Sequence, residues 1–204
     1  TLINLIPRFF DVTGGKILFD GIDIRKANIE KLRDKIGYVP QKGMLFSGTI
    51  ESNIAFGLDK MDKEKITKAA EISQSLEFIE NKKDKFKSEI SQGGTNVSGG
   101  QRQRLAIARA IATDPEIYIF DDSFSALDYK TDAKLRKELA KYTKNSTIFI
   151  VAQRISTVMQ ADQIIVLDKG HVVGIGTHKE LLKSCEIYQE IAYSQLSKEE
   201  LENE

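Results

Sequence analysis

Residues 117–122 read IYIFDD: an apolar run of strand-forming residues stops on two adjacent carboxylates. Four consecutive apolar residues, with no alternation, suit a strand buried on both faces, as in parallel sheets. Two further runs behave the same way. IGYVP leads to Gln41, and TIFIVA (147–152) leads to Gln153. In an open parallel sheet, ligands gather where the strands end at their carboxyl termini. An acid placed there is the expected holder of hydrated Mg²⁺ in a nucleoside-triphosphate site, and the next acid would stand near the attacking water. Asp121 and Asp122 are therefore the first candidates, with Gln41 and Gln153 beside them. Each alone also fits a satisfied strand-end polar group; the set points to one task.

The rest of the chain supports an α/β reading. TLINLIPRFF spaces Leu2, Leu5, Ile6 and Phe9 as a helix that Pro7 ends or kinks. DVTGGKILFDGIDI reads as a strand pair with turns at Gly14-Gly15 and Asp20-Gly21. A short helix is expected over 28–35 and a helical stretch over 47–81, with Ile66, Ala69, Ala70, Leu76 and Ile79 on one face. A polar Gly-containing loop precedes a helix over 100–113, whose inward residues are Leu105, Ala108, Ile111 and Ala112. Strand and helix then alternate. DQIIVLDKGHVVGIGTH forms two strands about a DKG turn, and a helical tail ends in acidic, frayed KEELENE. The expected fold is a mainly parallel sheet covered by helices, with the helical stretch at 47–113 inserted as a subdomain.

Totals exclude several classes. Lys plus Arg and Asp plus Glu are equal at 30 each, so no global charge favours nucleic acid as a partner. Cys185 is the single cysteine, which rules out an internal disulfide and suits a reducing compartment. No apolar run approaches the roughly 20 residues of a membrane helix. Thr1 stands where an initiator Met would, and the apolar TLINLI reads as a piece cut from a longer protein. His171 in a strand, His178 at a helix start, and the Lys run near 82–87 are read as structural or solvated.

The string NVSGGQRQRLAIARA (96–110) is the strongest signal. Ser98, Gly99 and Gly100 bring a hydroxyl and close-approaching amides to the start of a helix. Free N–H groups and the helix dipole make such a start an anion seat. Arg102, Arg104 and Arg109 follow on the same helix.

Here the chain resembles the ABC ATPases, with a P-loop NTPase-like fold. SGGQRQRLAIARA resembles their signature motif, IYIFDD with SALD their Walker B and D-loop, YVPQ their Q-loop, and VAQRIST their H-loop region. LFSGTIESNI and SEISQGG resemble the nucleotide-binding domains of exporters in particular. The resemblance covers essentially the whole chain, with five motifs in order. It implies an ATPase core lobe at 1–46 and 114–204, and a helical subdomain at 47–113 that carries the signature. It implies ATP and Mg²⁺ as ligands, with Gln41 and Asp121 at the metal, Asp122 as the base, and Gln41, Ser98, Gly99, Gly100, Gln101 and Asp121 at nucleotide. Asp128 would contact a second nucleotide-binding domain, and Gln41 would couple to a transmembrane domain N-terminal on the same polypeptide. That places the domain on the cytoplasmic face of the cell membrane.

Departures from the family pattern carry as much information. The Walker A pattern GxxGxGKST does not occur here, and Thr1 aligns with or beside its last residue. The 204 residues alone are thus expected not to bind ATP tightly or to turn it over. Asp122 stands where the family has Glu. One methylene less withdraws the carboxylate by roughly 1.5 Å, and a misplacement of about 1 Å can cost on the order of 100-fold in rate. Gln153 stands where the family has its switch His; it donates a hydrogen bond but never becomes cationic. Val97 replaces the usual Leu in an otherwise intact signature. Together these imply a degenerate own site beside a sound signature that completes a partner's site, as in heterodimeric exporters. The alternatives are a slow but competent homodimeric ATPase, a regulatory ATP-binding module without turnover, and the DNA-repair ATPases that share SGGQ. The last carry long coiled coils, and no heptad stretch is present here.

Overall fold

In the computed structural model, which describes residues 2–196, a 3₁₀ turn at Leu2–Leu5 opens the chain where the apolar spacing predicts a helix. Its buried residue is Ile3, while Leu2 and Phe9 are exposed. Pro7 supplies the reason for the early stop, because its ring disfavours helical geometry in the residue before it. The chain divides into two compact units, one through Val151 and one from Ala152. The acidic KEELENE end lies outside the described residues.

In the first unit, β1 (Leu18–Phe19) and β2 (Ile22–Asp23) pair antiparallel. Asp20 and Gly21 both take positive φ, 49° and 79°, at the centre of the hairpin turn where a type I′ geometry requires it. Helix α1 (Ile29–Asp34) is capped by Asn28, whose side chain accepts from the Lys31 N–H. Strand β3 (Ile36–Val39) follows, then β4 (Gly48–Thr49) and α2 (Ile50–Ile54), α3 (Lys63–Ile72), α4 (Leu76–Glu80) and β5 (Glu89–Ile90). The β4–β5 pairing ties the two ends of the helical stretch together, a contact the local pattern does not announce. Helix α5 (Gly99–Ala112), β6 (Ile117–Asp121), α6 (Tyr129–Tyr142) and β7 (Thr147–Val151) complete the unit.

The central sheet is parallel, in the order β3-β6-β7, with Val39 opposite Phe120 and Asp121 opposite Val151. Strand β6 is buried on both faces, as its unbroken apolar run requires. Ile117 and Ile119 join a small cluster with Ile3. Tyr118 and Phe120 face the larger cluster built by α2, α3, α5 and α6, which includes Ile66, Ala69, Ala70, Leu105, Ile107, Ile111 and Leu135. β7 differs: Phe149 and Val151 remain exposed at 38% and 39%.

The second unit contains α7 (Ile155–Val158), an antiparallel pair β8 (Ile164–Asp168) and β9 (His171–Gly176), α8 (His178–Ser184) and α9 (Glu186–Gln195). Ile155, Ile164, Val166, Leu181, Cys185, Tyr188 and Ala192 form its core. His178 is buried at the start of α8, where its Nδ1 and the Tyr188 hydroxyl share a 2.7 Å hydrogen bond. That pairing gives the histidine a structural role.

Candidate functional site

Because β3 and β6 run parallel and in register, Gln41 and the two acids leave the sheet at the same edge. Asp121 is the last residue of β6. Asp122 follows in the left-handed region, at φ 46°, with its N–H donating to the Val151 carbonyl at 2.8 Å. Short polar residues tolerate that geometry better than most, and it turns the chain sharply out of the sheet. The Asp122 carboxylate is nearly buried and accepts from Gln41 Nε2 at 3.1 Å. Two hydroxyls fix the backbone around it. Ser123 Oγ donates to the Val39 carbonyl at 3.0 Å, and Ser125 Oγ donates to the Asp122 carbonyl at 2.9 Å.

Asp121 has a neighbour that the sequence pattern does not reveal. The Tyr38 hydroxyl lies 2.9 Å from Asn4 Oδ1 and 3.4 Å from Asp121 Oδ2, and its single proton serves one acceptor at a time. Burial first, and then the negative charge of Asp121, push the Tyr38 phenol above its ordinary range. A phenol at the end of a buried strand needs a polar partner, and that was the one available signal.

The donor set fits a magnesium ion. Asp121 offers carboxylate oxygens. Gln41, having turned its NH₂ toward Asp122, offers its amide oxygen. Among the described residues no group of three or more His, Cys, Asp or Glu could hold a metal. Mg²⁺ is commonly held by one or two protein oxygens, with phosphates and waters filling the remaining positions, so a sparse set of hard oxygens is what such an ion uses.

The start of α5 carries the residues read from the sequence as an anion seat. Ser98 Oγ accepts from the Gln101 N–H and Gln101 Oε1 accepts from the Ser98 N–H, a reciprocal capping box. Nothing lies within 4 Å of the position a Gly99 side chain would occupy, so the backbone there is open to approach. Gly100 instead faces the loop before α6, where a Cβ would stand 3.3 Å from the Ala126 carbonyl. Asp128 caps α6 by accepting from the Thr131 N–H at 3.0 Å, and the bonds from Thr131 hold its exposed carboxyl below the ordinary range.

The three arginines of α5 do not reach this seat. Arg102 donates to the carbonyls of Gly93 and Gly94, and Arg104 to that of Gln74 while stacking over Phe78. Arg109 donates to Met44 and Asn53 and lies over the paired Phe46 and Phe56 rings. All three tie α5 to its neighbours. Gln153 belongs to the second unit, where its carbonyl accepts from Gln195 Nε2 at 2.8 Å.

Comparison with known proteins matches this architecture. The family model described as ABC transporter matches residues 1–125. An uncharacterized ABC transporter ATP-binding protein of Mycobacterium tuberculosis is 47% identical over 198 residues, covering 96% of this chain and 34% of that protein. An ATP-dependent lipid A-core flippase of Desulfotalea psychrophila is 44% identical over 189 residues, covering 93% and 33%. The chain thus spans about a third of the length of these curated relatives. Among solved structures, a bacterial Atm1-family ABC exporter with ATP bound superposes with a TM-score of 0.91 at 35% identity, over 93% of this chain and 34% of that one.

Proposed function

The chain belongs to the ABC transporter family, and on that premise we propose that it is the ATP-binding and ATP-hydrolysing domain of an exporter, with a weakened site of its own and a signature motif that serves a partner domain. The supporting observation is the pairing of Gln41 with Asp122. The acid in the base position is the shorter one, and one of its oxygens already holds the Q-loop amide.

The proposed roles are those that the family pattern assigns to these positions. Asp121 and the amide oxygen of Gln41 would hold Mg²⁺, which when bound neutralises charge on the β- and γ-phosphates. Asp122 orients the attacking water from a withdrawn position. Gln153 stands where the family has a histidine and would offer a neutral hydrogen bond in its place. Ser98 would offer its hydroxyl, Gly99 and Gly100 their helix N-terminal N–H groups, and Gln101 its side-chain amide to the γ-phosphate of the partner's ATP. Asp128 contacts the second nucleotide-binding domain across the pair. The division into a core lobe (1–46 and 114–204) and a helical subdomain (47–113) belongs to the same reading, as does a transmembrane domain on the same polypeptide. That arrangement sets the domain against the cytoplasmic face of a membrane. Among the described residues no helix is long and apolar enough to cross one.

The test is steady-state Mg-ATP hydrolysis by the full-length polypeptide, purified without a partner subunit, beside an Asp122→Glu, Gln153→His double variant. A near-silent parent with a revived double variant supports the weakened site. A robust parent rate that Asp122→Asn abolishes makes Asp122 a working base, and the slow homodimer then replaces this reading.

A further inference from the structure

Gln103 stands in the first half of α5, 2% exposed, on the helix that begins with the signature. Both ends of its carboxamide bond to the loop after β3. Its Oε1 accepts from the Gly43 N–H at 2.8 Å, and its Nε2 donates to the Pro40 carbonyl at 3.2 Å. The two anchor points bracket Gln41 and Lys42, whose own side chains are exposed. Gly43 leaves the loop no slack: a Cβ there would stand 2.9 Å from Gln103 Oε1 and 3.1 Å from the Arg102 carbonyl. The loop backbone therefore rests directly on α5.

We propose that Gln103 is a positioning residue that clamps the loop on both sides of Gln41, fixes the Gln41 amide against Asp122, and makes this loop move with the signature helix. The role in turnover rests on the function proposed above; the clamp rests on the geometry alone. A carboxamide accepts at one end and donates at the other. Glu at this position keeps the acceptor for Gly43 and sets an oxygen against the Pro40 carbonyl. Leu keeps most of the volume and loses both bonds. A buried glutamine that merely satisfies two backbone groups would stabilise the loop without acting through Gln41, and the two roles separate experimentally.

The experiment uses the full-length protein assembled with its nucleotide-binding partner, in the Asp122→Glu, Gln153→His background so that its own site contributes to turnover. Gln103→Leu, Gln103→Glu, Gln41→Ala and the Gln41→Ala, Gln103→Leu double variant are compared with the parent. Amide hydrogen exchange at Gly43 and kcat and KM for Mg-ATP are measured on each. Gln103→Leu is expected to speed Gly43 exchange about tenfold, and to lower kcat about tenfold with KM within about twofold. In the Gln41→Ala background it should add no further loss of kcat, because two groups acting as one unit are not additive. Gln103→Glu should fall between, and it keeps the test decisive if the Leu variant folds poorly. Unchanged Gly43 exchange in both variants overturns the clamp whatever turnover does. Multiplicative losses in the two backgrounds overturn the positioning role. Faster exchange with turnover untouched by Gln103→Leu and Gln41→Ala alike supports the clamp and overturns its role in turnover.

Discussion

The Gln41 amide nitrogen and Asp122 Oδ2 lie 3.1 Å apart, joining the loops that leave two neighbouring parallel strands. A residue that would orient water and a residue that would reach the metal thus restrain each other, and neither is free to move alone. Asp122 also occupies a left-handed backbone position, which a β-branched side chain resists by roughly 1–2 kcal/mol. Asp122→Val is therefore expected to lower unfolding stability by about that amount beyond Asp122→Asn, as read by urea titration. Equal stability of the two variants would mean that the turn after β6 relaxes without cost.

The capping box at Ser98 separates stability from function. Ser98→Ala removes one side-chain acceptor at the start of α5 and should cost about 1 kcal/mol in unfolding experiments. In the assembled pair of domains the same change should lower ATP turnover by about tenfold or more, since donors arranged for developing charge act in a dry site. A loss of turnover no larger than the stability loss predicts would remove the signature from the reaction.

Gly37 in β3 packs closely against the end of α5 and the turn after it. A Cβ there would stand 2.8 Å from Pro115 Cγ and 3.2 Å from the Ala110 carbonyl. Gly37→Ala must push β3 away from α5, at an expected cost of about 1–3 kcal/mol. The midpoint of chemical denaturation should fall without a change of slope.

Alkaline stability of the second unit should depend on Tyr188. Burial pushes its phenol up to about 12 from an ordinary value of 10.0. An acid that holds its proton longer in the folded state loses stability as pH rises past the unfolded value. The expected loss between pH 10 and 12 is on the order of 2 kcal/mol. Tyr188→Phe should flatten that slope, and tyrosinate absorbance of the folded protein should show a late-titrating phenol that the variant lacks. An identical slope in the variant would assign the loss elsewhere; Tyr118 in the first unit, also raised by burial, is the first alternative.

Much of the site could be read from the sequence because it sits where local rules end. An apolar run that stops on IYIFDD fixes both a buried strand and the acids at its mouth. SGGQ fixes a capped helix start through interactions spanning three residues. The Asp20-Gly21 turn, the buried faces of α3 and α5, and the hairpin about Lys169-Gly170 follow from the same short-range sterics. The helix expected over the first ten residues was reduced to one 3₁₀ turn, because apolar spacing there competes with Pro7. The three arginines of α5 follow the expected anion seat in the sequence, yet their guanidinium groups are spent on backbone carbonyls, the Asn53 amide and aromatic faces.

The sequence alone determined which residues could form strands, caps and turns, since those choices depend on side-chain sterics and hydrogen bonds within a few residues. Only the tertiary structure decided that Gln41 meets Asp122, that Tyr38 stands near Asp121, and that Gln103 grips the loop on both sides of Gln41. Those contacts join residues tens of positions apart, and their geometry is set by parallel register and by how closely α5 packs on the loop after β3, quantities no local pattern encodes.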